Sequence, residues 1–218
     1  MAVVFSSDGF PEFFQRVAPV VLRDPLAAFL GGAKDGVMTY RYADAVRLAG
    51  HSCPTVAAAW LMTVTGLRAL YGSEMPERGG VEVLMAQERG EGTTGVIASV
   101  ATLLTGAAPE TGFGGIGPGG RFARRNLLGF NGNFSGMDGG LLALRRRDNG
   151  AAVQVFCDPS VVPFAPEMAS LMPKAVGGTA DAQELVRFAE LWQQRVERML
   201  TEHADDPGLV RADPWNWG

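Results

Sequence analysis

The sequence predicts an α+β fold: a mixed or antiparallel sheet packed with two buried helices, followed by a long C-terminal helix. Three observations carry this expectation. Two stretches, Thr55–Tyr71 and Thr94–Leu104, read as helices with almost no polar face, and such helices are buried. Leu141–Arg147 and Ala151–Phe156 flank Asp148-Asn149-Gly150, whose Asn-Gly step accepts the positive φ values that a tight hairpin needs. Asp181–His203 carries Leu185, Phe188, Leu191, Trp192, Val196 and Leu200 close to helical spacing, as a long amphipathic helix does. A hairpin interspersed with helices favours α+β.

The elements follow in chain order. Pro11–Ala18 and Pro25–Leu30 read as short helices; Asp24 is a plausible N-cap, and Pro25 suits the first helical position after it. Tyr42–Leu48 reads as a helix that Gly50 breaks. Pro54 then sits at the start of the first buried helix, and Gly72 closes it. Val81–Ala86 reads as a strand. The second buried helix is capped by Thr93 or Thr94 and closed by Gly106. Gly112–Gly120 is a glycine-rich loop, and Pro166–Met172 a short helix. The tail Asp213-Pro-Trp-Asn-Trp-Gly is expected to dock its tryptophans on this chain or on a partner. A single domain over residues 1–218 is expected, with a core of about 35–160, N-terminal helices over 8–32 and a helical extension over 165–218.

Composition narrows the function. The chain is 47% hydrophobic and 19% charged, a globular balance that excludes a disordered chain. Its net charge is −4 and it has no long basic run, so no electrostatic footprint for nucleic acid exists. Leu48–Leu67 and Gly92–Pro109 approach bilayer-spanning length, but Gly50, His51, Ser52 and Pro54 interrupt the first, and threonines and Ser99 punctuate the second. Buried helices rather than membrane spans are expected. The N-terminus has neither a basic region nor a long apolar run, so a cytoplasmic location is the expectation.

His51 and Cys53 are the sharpest chemical feature. They lie two residues apart, beside the start of a buried helix, where free backbone N–H groups and the helix dipole favour an anion such as a thiolate. Thiolate and neutral imidazole are also preferred zinc ligands. Cys157, at the end of a strand, is the first candidate to complete a metal shell; the other reading of it is a buried structural cysteine. Glu88 and Glu91 follow a strand and precede a helix, where a carboxylate could ligate a metal or act as a base, against the alternative of a solvated loop. Arg121, Arg124 and Arg125 follow the glycine-rich loop and could hold an anionic ligand, although the loop lacks the ending of a phosphate-binding P-loop.

The run Ala49-Gly-His-Ser-Cys-Pro, followed by an alanine-rich helix, resembles the GHxCPG signature of the FmdE-like family, named for a component of formylmethanofuran dehydrogenase. The layout after it is similar as well. A strand leads into Gly95-Val96-Ile97-Ala98-Ser99, then Thr105-Gly106, then a glycine-rich segment ending near Arg125-Asn126-Leu127, where the family has CGVDAIQ and TGCTxGKGNL. The resemblance covers roughly residues 35–157. It implies an α+β core, zinc or a similar metal bound through the His-x-Cys pair, and a homodimer. The chain departs from the pattern at Thr55, where the motif has its last glycine, and at Thr94 and Ala107, where the family has cysteines; Ile97 replaces an aspartate.

Three functional readings follow. The first is a zinc protein with His51 and Cys53 as ligands, completed by Cys157, Glu88 or Glu91, with an open position for a small molecule or an activated water. The second is a metal-free enzyme with Cys53 as nucleophile and His51 as its base or cation partner. The third is a non-catalytic carrier of a small cofactor, a haem or another transition metal, held between the two buried helices.

Overall fold

Thirteen helices and strands are laid down from residue 20 to residue 214 in the computed structural model, which describes residues 3–131 and 140–217. They are β1 (Val20–Arg23), α1 (Pro25–Phe29), β2 (Val37–Tyr40), α2 (Tyr42–Ala49), α3 (Pro54–Tyr71), β3 (Val81–Met85), α4 (Thr94–Thr105), β4 (Leu128–Gly129), β5 (Gly140–Arg146), β6 (Ala152–Cys157), α5 (Met168–Val176), α6 (Ala182–Leu200) and β7 (Val210–Pro214). Five strands form one sheet in the order β4-β3-β5-β6-β7, and β1 pairs with β2 apart from it. The β3–β4 pair is parallel and the other ladders are antiparallel. This is the expected α+β arrangement with a mixed sheet.

The β5–β6 hairpin closes as its turn chemistry demands. Gly150 has φ +75°, and its amide donates to the Arg146 carbonyl at 3.0 Å. In register, Leu144 faces Val153 and Leu142 faces Val155. All four are buried.

Helix α3 lies across β5, β6 and β7 and packs against α4 and α6. Its sequence permits this because it is apolar all round, from Val56 through Trp60 and Met62 to Leu67. Its approach to the sheet is close. A methyl group on Gly66 would run into the Leu144 side chain and sit 3.1 Å from Val155, so Leu144 would have to shift to admit one. The aromatic rings of Phe14, Tyr42 and Trp60 meet edge-on at the α2 end of the same core.

The tail docks on the chain itself. β7 pairs with β6, the Trp215 amide donates to Ala152 O at 3.0 Å, and Arg145 sits 4.9 Å over the Trp217 ring. Gly218 lies outside the described residues. At the N-terminal end, the segment read as a helix over Pro11–Ala18 is one 3-10 turn, Glu12–Arg16, and the chain then enters β1. Among the described residues no helix is long and apolar enough to cross a membrane.

Candidate functional site

The turn between α2 and α3 is built to a fixed shape. Asp44 accepts the Arg41 amide at 2.8 Å and starts α2. Gly50, at φ +78°, ends it in the left-handed conformation that glycine adopts without strain. The chain then passes His51 and Ser52 and re-enters a helix at Pro54. Three side chains from α2 and α6 pin the turn. The Tyr42 hydroxyl lies 3.1 Å from Ser52 Oγ. Trp192 Nε1 and Gln193 Nε2, both on α6, donate to the Ser52 carbonyl at 3.2 and 3.1 Å.

On this turn Cys53 is the N-cap of α3, with Sγ accepting the Val56 amide at 3.4 Å. That bond gives one of the unpaired first-turn N–H groups a partner and places the sulfur where negative charge is favoured. Cys53 is buried, whereas His51 is exposed. His51 Nδ1 lies 3.0 Å from the Ala49 carbonyl, a contact that assigns the ring proton to Nδ1 and leaves Nε2 as the free lone pair. A histidine that binds a metal through one nitrogen characteristically gives the other N–H to a carbonyl or a carboxylate in this way.

The other candidates lie elsewhere. Cys157 ends β6 and packs against the main core, where burial pushes its thiol up to about 12. Such a thiol is held neutral, as a structural cysteine is. Glu88 and Glu91 are exposed on the loop between β3 and α4. Gln87 donates to Glu91 at 3.0 Å and accepts from Thr94 Oγ1 at 3.1 Å, so these groups order the approach to α4. Among the described residues no group of three or more His, Cys, Asp or Glu comes together as a metal shell. His51 and Cys53 carry donor types that a transition metal takes, and the Ala49 carbonyl orients the imidazole. They supply two ligands where a catalytic zinc site has three from protein.

The three arginines after the glycine-rich loop are separated. That loop folds back on itself through the Ile116–Arg121 bridge. Arg121 lies over the Phe122 and Phe29 rings at 4.4 and 5.2 Å, and Arg125 is exposed. Arg124 instead runs inward. Its Nη2 donates to Asp24 Oδ1 at 2.7 Å, and Arg78 Nη1 donates to Asp24 Oδ2 at 2.7 Å. Asp24 is buried and also caps α1 through the Leu26 amide at 2.9 Å. Two guanidinium groups thus share one buried carboxylate.

No family model matches the chain. No curated protein matches it either.

Proposed function

We propose that the chain is a metal-binding protein whose site is the His51–Cys53 turn, with zinc as the metal favoured by an imidazole and thiolate pair. The observation that carries this reading is the contact of His51 Nδ1 with the Ala49 carbonyl. It aims a free Nε2 outward two residues from a thiol seated at a helix N-terminus. The resemblance of Gly50-His51-Ser52-Cys53-Pro54 to the FmdE-like signature supports the same assignment.

The roles of the chain's own groups follow from their surroundings. The first turn of α3 gives Cys53 Sγ the Val56 N–H as a donor, at the positive end of the helix dipole. The Ala49 carbonyl fixes the His51 tautomer. Trp192, Gln193 and Tyr42 hold Ser52, and with it the turn between the two residues. Bound there, the metal would offer open coordination positions to a small molecule, a water or a second copy of the chain.

Elemental analysis of protein prepared in metal-replete medium tests this. Wild type should carry a stoichiometric transition metal; His51→Ala and Cys53→Ala should lose it. Cys157→Ala should keep it, because Cys157 does not come together with His51 and Cys53 as a three-ligand group among the described residues. Metal-free wild type would overturn the assignment. The position of Cys53 Sγ as a helix cap also favours a second reading, a thiolate enzyme without metal. In that case metal-free Cys53 would be alkylated much faster than free cysteine, and a rate like that of free cysteine would exclude it.

A further inference from the structure

A cavity of about 260 Å³ opens beside the Asp24 ion-pair cluster, with Glu77, Arg78, Gly79, Ala123, Arg124 and Arg147 on its wall. The three guanidinium groups here do not have equivalent partners. Arg78 spends its donors internally: Nη1 on Asp24, Nε on the Leu104 carbonyl at 3.2 Å and Nη2 on the Leu103 carbonyl at 3.1 Å. Arg147 gives Nη1 to the Gly79 carbonyl at 3.0 Å and is otherwise exposed. Arg124 is 8% exposed, and its Nη1 is buried with no hydrogen-bond partner.

That orphaned donor is the informative feature. A buried charged N–H without an acceptor is costly, and native proteins rarely leave one. Nη1 occupies the space that a side chain on residue 79 would take, and Gly79, at φ +78°, leaves it open. Three guanidinium groups stand against two carboxylates, Asp24 and Glu77, so the wall keeps a net positive charge. Burial lowers the Arg124 pKa while the Asp24 charge opposes the shift, as expected of a guanidinium only partly compensated by its partner.

We infer that this cavity binds a small oxyanion, a carboxylate or phosphate group held by the positive wall that Arg124 and Arg147 line. Arg78 does not contact the anion; it braces Asp24, which in turn aims Arg124. The inference rests on residues remote in sequence from the His51–Cys53 turn and stands whether or not that turn holds a metal.

Calorimetric titration of the full chain with inorganic phosphate and with succinate, at low ionic strength and with sodium chloride as the control, tests it. Saturable binding of at least one probe is expected. Phosphate alone would assign a phosphate group, succinate alone a carboxylate, and both a general oxyanion site. Arg147→Ala should weaken binding about tenfold, the scale of one charge-assisted hydrogen bond. Ala123→Glu, which puts a like charge on the cavity wall, should abolish it. Neither residue belongs to the buried ion pairs, and thermal unfolding confirms that each variant is folded. Loss of affinity in either variant supports the site. No saturable binding of either probe, or binding unchanged in both variants, overturns it.

Discussion

The His51–Cys53 turn and the Asp24–Arg78–Arg124 cluster are opposite solutions to placing polar chemistry on one scaffold. The turn gathers its donors from neighbouring residues and presents them near the surface, one ring exposed and one thiol just beneath. The cluster draws its members from three distant points of the chain and closes them inside, where each charge depends on another. The difference teaches where stability resides and where a ligand can act. A buried carboxylate shared by two guanidiniums cannot be removed without stranding both. An exposed imidazole on a turn held by other side chains can be removed with little structural consequence.

The largest effect should come from breaking the cluster. Asp24→Ala leaves the buried Arg124 and the partly buried Arg78 guanidiniums without their anion and removes the α1 cap, and should cost about 3–5 kcal/mol in chemical denaturation. The paired substitution His51→Ala should leave the unfolding midpoint close to wild type. A midpoint loss as large as that of Asp24→Ala would mean that the turn is structural after all.

A smaller effect sharpens the contrast between the two cysteines. Burial pushes the folded Cys157 thiol up to about 12, while an unfolded thiol ionises near about 8.5. Between those values the folded state retains a proton that the unfolded state has lost. The stabilisation is therefore complete below the unfolded value and declines as pH rises toward about 12. Denaturant midpoints followed upward from neutral pH should fall less steeply in Cys157→Ala than in wild type. Parallel slopes would show that the thiol is not held neutral by the fold.

How much of this was legible in the sequence depended on how local the signal was. α3 and α4 announced themselves by apolar runs on every face, and the β5–β6 hairpin by Asp148-Asn149-Gly150. α6 did so by its apolar stripe. The misses were short or imported elements. β1 and β2 are four residues each and are defined by pairing with one another, so neither carries a long alternation of its own. β4 has two residues and exists only through β3. α5 runs on through Pro173, where an isolated sequence gives reason to stop.

The same rule separates the two candidate sites. His51 and Cys53 were visible because their chemistry fits within six consecutive residues. Asp24 read only as a helix cap, Arg78 gave no signal, and Arg124 was grouped with its neighbours Arg121 and Arg125, from which the fold parts it. Arg78 comes to Asp24 because the segment after α3 runs alongside β1: the Arg23 amide donates to Pro76 O at 2.9 Å, and the Arg78 amide to Arg23 O at 2.8 Å. No spacing in the sequence encodes that pairing.

Titration of metal-free protein with cobalt(II) addresses the His51–Cys53 assignment most directly, because a thiolate bound to cobalt gives a charge-transfer absorption that the protein alone lacks. The expected result is a band that saturates in wild type and Cys157→Ala, disappears in Cys53→Ala and weakens in His51→Ala. No band in wild type, or a band that survives Cys53→Ala and vanishes with Cys157→Ala, would contradict a metal held at this turn.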